Sequence, residues 1–362
     1  SSFGRTRLPR QAWLPPLRAA RMRSARCLAL ALAAWKAAAD GPACLDGEGR
    51  SVDFWYVFKH PDGVAYTYAD ATQLTLRSPE DTVDSDTSPV TRTLLQAYGS
   101  GVASAMWNDE HADGKEAGAP YGHAKGVVAF KKGGGFWLTH SLPKFPKTVA
   151  QGFEGSWEGA STKYGQSFLC LSVGTAALQQ VGAAMVTNRP SVYDVAAPAF
   201  VAKAVPNFAG WTGGEHEDTP LTKVQSIKTK GGTSFRVFSK SADFGKDLYA
   251  ELVAPQLDAD LITETWMHGR GNLPSACGSK AHDVMNSQAV EIGGVDWTDT
   301  QDHSKWAVTT TGTVLCMGDI NRQSGQFKRG GGTVCLEEPD LAAQLRKAVT
   351  KFQSCKETSI LV

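Results

Sequence analysis

The sequence predicts a mixed α/β fold assembled from two similar halves. Three observations predict it. Apolar, aromatic runs of strand length recur along the chain. Helix-patterned segments accompany them in both halves. One motif, His-x-Lys ahead of an apolar run, occurs twice, as "GHAKGVVAF" (122–130) and "DHSKWAV" (302–308).

Residues 1–39 stand apart from the rest. They hold eight Arg and Lys and no acid, then "CLALALAAW" (27–35) and "AAA" (37–39) before Asp40. A basic arm, a short apolar run and small residues form the pattern of a secretory signal peptide. The run falls well short of the ~20 apolar residues of a membrane span. An Arg-rich, acid-free arm also fits a transit peptide, but the continuous apolar run favours secretion. Met22 is the expected initiator, with the residues before it an upstream extension. After this leader, one half is expected over 40–190 and the other over 191–362, each with one His-x-Lys.

The expected strands, in order, are "DFWYVF" (53–58), "SAMWN" (104–108), "GVVAF" (126–130), "GFWLTHS" (135–141), "QSFLCLSV" (166–173), "SFRVFS" (234–239), "LITETWMHG" (261–269), "KWAVTT" (305–310) and "TVLCMGD" (313–319). The expected helices cover 90–99, 175–186, 243–257 and 340–355. In the last, Leu341, Leu345, Val349 and Phe352 keep near-helical spacing behind Asp340 as N-cap. The acidic run "EDTVDSDTSP" (80–89) reads as a solvated loop; it lacks the glycine and distal Glu of a calcium loop.

The net charge changes sign on acidification. Without the leader, 29 basic residues face 36 acidic ones, a net charge of −7, and all eight His remain. Their ordinary pKa of ~6.5 means that acidification to about pH 5 brings the net charge near +1. A polyanion is then repelled less. Six cysteines remain, an even set behind a signal peptide, with fifteen possible connectivities. No C-x-x-C occurs, so zinc and thioredoxin-like readings are weak. No Asn-x-Ser/Thr sequon occurs either, and N-glycosylation is not expected.

On a strand, residues i and i+2 share a face, so His303 and Lys305 are expected to project together, as are His123 and Lys125. After each pair come a strand, a turn, a strand and a polar cluster. His123 to His140 spans 17 residues, and His303 to Asn321 spans 18. Two such hairpins about a pseudo-twofold axis would aim two imidazoles at one phosphodiester. One would serve as nucleophile, the other as proton donor, and the lysines would neutralise the non-bridging oxygens.

The paired motifs resemble those of the phospholipase D superfamily, although its usual Asp further along each motif is absent here. The resemblance is closer to one branch, deoxyribonuclease II. It rests on "VDFWYVFKHP", "GHAKGVVAF", "GGFWLTHSLPKFP", "YGQSFLCLSV", "FGKDLY", "DHSKWAV", "CMGDINR" and "KRGGGTVC", spread from about 44 to 355. Residues 188–233 match least. The resemblance implies a pseudo-twofold, two-lobed phospholipase D-like fold with mixed sheets flanked by helices. It implies cleavage of DNA at acid pH, without a metal or other cofactor, leaving 3′-phosphate ends.

Carried over by position, His123 is the nucleophile and His303 the general acid, with the reverse assignment left open by pseudo-symmetry. Lys125 and Lys305 hold phosphate oxygens, Asn321 adds a hydrogen bond, and His140 is a second-rank site residue. The resemblance also implies the disulfides Cys44–Cys170, Cys277–Cys355 and Cys316–Cys335. The last closes a loop with Arg322, Lys328 and Arg329, a basic patch for the DNA backbone. Gly330 to Gly332 form a phosphate nest or a flexible loop, and Asp319 orients a histidine or caps a turn. His60, His111, His216, His268 and His282 read as surface or structural residues, and Phe136, Trp137 and Trp306 as core. The expected location is a lysosome, an acidic vacuole or the exterior, with no membrane anchor. A monomer suffices for a whole site, and a dimer stays open. The rival readings are a lipid phosphodiesterase of the same superfamily and an inactive nucleic-acid-binding relative.

Overall fold

The computed structural model describes residues 41–155, 157–214, 220–278 and 281–355. The expected leader and His216 lie outside the described residues. β1 (Cys44–Leu45) and β2 (Ser51–Val52) form a small antiparallel pair.

The first sheet holds β3 (Phe54–Lys59), β4 (Tyr66–Asp70), β5 (Gln73–Arg77), β6 (Ala103–Trp107), β7 (Gly126–Lys131), β8 (Gly134–His140), β9 (Gln166–Val173) and β10 (Val192–Ala196). Its order is β10-β6-β7-β8-β9-β3-β4-β5. The second sheet holds β11 (Thr222–Lys228), β12 (Ser234–Lys240), β13 (Leu261–Glu264), β14 (Val284–Ile292), β15 (Val295–Thr298), β16 (Trp306–Thr309), β17 (Val314–Gly318) and β18 (Gly331–Glu337), in the order β11-β12-β18-β17-β16-β13-β14-β15. β19 (Val349–Phe352) pairs with β14.

Five strands repeat. β3, β6, β7, β8 and β9 correspond to β12, β13, β16, β17 and β18 in chain order and in lateral order, and every neighbouring pair among them is antiparallel. In each lobe the fifth strand runs into a helix, Thr175–Asn188 after β9 and Pro339–Ala348 after β18. This is the pseudo-twofold, mixed α/β, phospholipase D-like architecture that the resemblance implied.

The sheets pack face to face. Phe54, Tyr56 and Phe58 of β3 meet Phe235, Val237, Trp306 and Val308 from the other sheet, with Phe54 and Phe235 ring centroids 5.4 Å apart. The alternate residues Trp55 and Val57 turn outward against Val90 and Leu94 of the helix Pro89–Leu95. On the far side, Leu248, Tyr249 and Leu252 cover the outer face of the second sheet. Central strands buried on both faces read as continuous apolar runs rather than as alternation. That is why they were legible. Phe136, Trp137 and Trp306 are buried in the core as expected.

Two helices differ from expectation. Residues 340–355 are helical only to Ala348; Val349 turns extended and starts β19, which takes its hydrogen bonds from β14. The N-cap is Glu338, not Asp340, and its carboxylate accepts from the Asp340 and Leu341 N–H groups at 2.9 and 3.0 Å. Segment 243–257 breaks into the 3₁₀ turn Ala242–Phe244, the π-turn Tyr249–Val253 and the helix Ala254–Leu257. Pro255 lacks an N–H and crowds the preceding turn. The three expected disulfides are all formed. Cys316 and Cys335 face each other across β17 and β18, with Cα atoms 3.9 Å apart. No helix among the described residues is long and apolar enough to cross a membrane.

Candidate active site

The two His-x-Lys pairs lie in loop segments just before strands, not on them, since β7 starts at Gly126 and β16 at Trp306. Three pairs of hydrogen bonds join these segments to the opposite lobe or to their own second strand. The His123 N–H donates to the Gly330 carbonyl and the His303 N–H to the Gly165 carbonyl, each at 2.8 Å. The Lys125 carbonyl accepts from the His140 N–H at 3.1 Å, and the Lys305 carbonyl from the Gly318 N–H at 2.9 Å. His123 Nδ1 lies 2.6 Å from the Asp319 carbonyl, and His303 Nδ1 lies 2.9 Å from the Ser141 carbonyl.

Gly165 and Gly330 occupy equivalent registers, three residues before Phe168 and Thr333. A Cβ at Gly165 would sit 2.6 Å from Asp302 Oδ1, and one at Gly330 would sit 2.1 Å from the Asn188 carbonyl oxygen. Only glycine lets the lobes close here. Gly330 to Gly332 are thus a close-approach device, and Gly332 packs as tightly on the Phe238 carbonyl.

A carbonyl only accepts, so both Nδ1 atoms carry hydrogen and both neutral rings keep their lone pair on Nε2. Each histidine is therefore oriented by the lobe it does not belong to. Asp319 orients His123 through its backbone. Its side chain accepts from Thr139 Oγ1 at 3.2 Å and Gly332 N–H at 3.3 Å, and burial raises its pKa to about 7.

The surroundings of the two rings then diverge. Asp109, two residues past β6 and 6% exposed, pairs with Lys125 and with Arg329 Nη2 at 3.2 Å. Its Oδ2 lies 3.9 Å from His123 Nε2. Burial opposes its ionisation, yet His123, Lys125 and Arg329 hold the carboxyl far below the usual carboxylate range. The register of β6 on β7 and of β13 on β16 makes Trp266 the counterpart of Asp109. Trp266 sets its ring 5.1 Å from His303 and 4.8 Å from Tyr164. Tyr164 and Arg329, each just before the paired glycine, are counterparts too. One half of the site is closed by an ion pair, the other by an aromatic pair.

Lys305 Nζ donates to the His303 carbonyl at 2.6 Å and lies 3.3 Å from His303 Nδ1. Burial, then Lys125, lowers its pKa to about 7. Burial lowers His123 to about 3 against the pull of Asp109. Burial and the Lys305 charge push His303 well below its ordinary value.

The other expected residues fall as follows. His140 is stacked on Phe168 with ring centroids 5.6 Å apart. Its Nδ1 accepts from the Leu142 N–H at 3.2 Å, its Nε2 is unpaired, and burial, then Lys125, lowers its pKa to about 3. Its register counterpart is Gly318, so the 17- and 18-residue spacings are not equivalent positions. Asn321 accepts from the Trp266 N–H at 3.3 Å. Arg322 is 1% exposed and holds Asp247 and Asn286, so it is no part of a surface patch. Arg329 braces the Ala117, Tyr121 and Gly122 carbonyls besides Asp109. Lys328 is exposed. His60, His111 and His282 have local partners in Thr67, Ser191 and Asp258, and His268 packs beside Trp266. Asp109 and Trp266 were not singled out from sequence; their shared place, two residues past β6 and β13, appears only once the observed strand ends are known.

A profile of the family described as Deoxyribonuclease II matches residues 43–355. Plancitoxin-1 of Acanthaster planci is 32% identical over 86% of this chain and 92% of its own length. Deoxyribonuclease-2-alpha of Rattus norvegicus is 32% identical over 88% of this chain and 95% of its own. Cell death-related nuclease 6 of Caenorhabditis elegans is 31% identical over 87% and 90%. A match that spans both lobes and both His-x-Lys segments places the chain in the deoxyribonuclease II family of nucleases.

Proposed function

We propose that this chain hydrolyses DNA at acid pH without a divalent metal, through a phosphohistidine, and leaves 3′-phosphate ends. The observation that carries this reading is the crossed clasp. Each Nδ1–H is tied to the opposite lobe, which frees both Nε2 atoms at one seam beside two lysines. One Nε2 attacks phosphorus, and the P–O5′ bond breaks as the other ring, protonated, gives its Nε2 proton to O5′. That second ring then takes a proton from water, whose oxygen attacks phosphorus. The P–N bond breaks, releasing the 3′-phosphate.

Lys125 and Lys305 offset the charge on the non-bridging oxygens, and Asn321 adds a hydrogen bond. His140 keeps a neutral, unpaired Nε2–H as a reserve donor. Acid favours the reaction in two ways. Lys305, at about 7, loses its charge as pH rises, and the proton-donating imidazole loses its proton. Three disulfides fit the secretory pathway, with a lysosome, an acidic vacuole or the exterior as destination. Both motifs lie in one chain, so a monomer can act.

Plasmid cleavage at pH 5 in excess EDTA tests this reading. Wild type is expected to cut and to leave 3′-phosphate ends, while His123→Ala and His303→Ala each lose at least ~10²–10⁴-fold in rate. Cutting that EDTA abolishes, or full activity in either variant, overturns it.

A further inference from the structure

The chemistry above needs one ring neutral and the other protonated, and a perfect twofold would not choose between them. The site is not a perfect twofold. Asp109 stands 3.9 Å from His123 Nε2 and is buried. The same place in the other lobe is taken by Trp266, which offers His303 only a ring at 5.1 Å. A formal charge at the shorter distance outweighs a ring quadrupole at the longer one. Lys305 reverses the balance for His303, with its ammonium 3.3 Å from Nδ1. Among the described residues no carboxylate is within ion-pair distance of Lys305, whereas Lys125 is paired with Asp109.

We propose that Asp109 is a positioning residue that keeps the catalytic proton on His123, making His123 the general acid toward O5′ and leaving His303 as the nucleophile. This rests on the phosphohistidine reading and fixes its direction, opposite to the assignment carried over by position. His303 Nε2 forms the bond to phosphorus as P–O5′ breaks, and the His123 Nε2 proton goes to O5′. Neutral His123 then takes a proton from the attacking water, and the P–N bond breaks. The cycle closes with His123 protonated beside Asp109 and His303 neutral beside Lys305.

Of the groups facing His123, Asp109 alone favours its proton. Burial and the Lys125, Lys305 and Arg329 charges oppose it and bring its pKa to about 3, so what Asp109 sets is which ring takes the proton first as pH falls. Asp109 follows β6, Lys125 is on its own segment, and Arg329 precedes β18. Lys305 and His303 come from across the seam. The Asp319 carboxyl after β17 is turned to Thr139 and Gly332. Of the groups that shift His123, Asp109 alone raises its pKa, and no carboxylate does so for His303.

The test uses leaving-group rescue. In thymidine 3′-(p-nitrophenyl phosphate), nitrophenol replaces O5′ and departs without a proton. His123→Ala is expected to lose DNA cleavage yet release a burst of about one nitrophenol per enzyme, with an acid-labile phosphoryl adduct on His303 by mass spectrometry. His303→Ala is expected to release none. Asp109→Asn is expected to move the alkaline limb of the DNA pH–rate profile at least one unit toward acid, and to lower DNA cleavage more than it lowers the nitrophenol burst. A merely structural role for Asp109 would lower both substrates together and leave the limb in place. Rescue of His303→Ala, or an adduct on His123, overturns the assignment while the phosphohistidine reading stands. A wild-type enzyme that cleaves neither substrate overturns both. If Asp109→Asn fails to fold, the two histidine variants still decide.

Discussion

The two lobes end the same strand with the same two residue types in opposite order. β6 closes on Trp107 and has Asp109 two residues later; β13 closes on Glu264 and has Trp266 two residues later. Trp107 lies opposite Gly126, and Glu264 lies opposite Trp306, so the positions correspond. In the first lobe the indole enters the core against Trp211, at 5.7 Å, and the acid faces the cations of the site. In the second the acid enters the core and the indole faces the site. Both acids are buried, yet their charges differ. Burial, then Asp302, lifts Glu264 well above its ordinary pKa, and no cation pairs with it among the described residues. Asp109 has three positive neighbours and stays ionised. Burial sets the cost of a charge, and the placement of cations decides whether that cost is met.

The largest effect that would break this contrast is on stability. Asp109→Ala leaves buried Lys125 without its partner and is expected to cost about 3–5 kcal/mol. Glu264→Leu replaces an uncharged buried acid with an apolar side chain of similar size, and is expected to cost under about 1.5 kcal/mol or to stabilise. Urea unfolding at pH 5 compares them. Equal costs would mean that the two acids share one state.

A smaller effect sharpens the contrast through pH. Glu264 and Asp319 have folded pKa values raised above the unfolded ones, Asp319 to about 7. Their contribution is complete below the unfolded carboxylate range and is lost as pH rises through the folded values. Asp109 has the opposite sign. Its contribution is present above the unfolded range and is lost only as pH falls far below it. Each raised acid is therefore expected to pull stability down from pH 5 to pH 7 by about 1 kcal/mol per pH unit, against the buried imidazoles His123, His140 and His303, whose depressed pKa values push it up over the lower part of that range. Glu264→Gln removes one such slope. A variant whose unfolding free energy follows pH like wild type would show that Glu264 is not protonated in the fold.

Much of the fold was legible because the central strands, buried on both faces, are apolar without interruption; "DFWYVF" and "QSFLCLSV" are examples. The repeated His-x-Lys was legible because it is local. What was hidden depends on distant partners. Edge strands such as β10 and β11 carry mixed polar residues and take their form from the neighbour that pairs with them. Arg322 looked like surface charge because Asp247 and Asn286, which hold it, are 75 and 36 residues away. Asp109 meets Arg329 across 220 residues, so nothing near "WND" marked it as part of the site. The His140–Asn321 analogy failed for a related reason. His123 to His140 spans 17 residues, whereas His303 to its register counterpart Gly318 spans 15, and counting residues ignored the register.

The smallest expected effect concerns the rim, where the lobes agree again. Lys163 and Lys328 each stand two residues before the paired glycines Gly165 and Gly330, and both are exposed. They stand at equivalent positions of the two lobes, and phosphates next to the scissile one are expected to pass them. Each is expected to contribute one counterion-releasing contact. Lys163→Ala and Lys328→Ala should each lower the slope of log affinity against log salt by about 0.9 on duplex DNA, and the double variant by about twice that. Binding is measured with the His303→Ala enzyme at pH 5, so that cleavage does not intervene. Equal slopes for the two single variants would make the rim symmetric around a polarised centre. A change confined to one lysine would carry the asymmetry of Asp109 and Trp266 outward to the surface, and DNA would then enter the seam from one lobe.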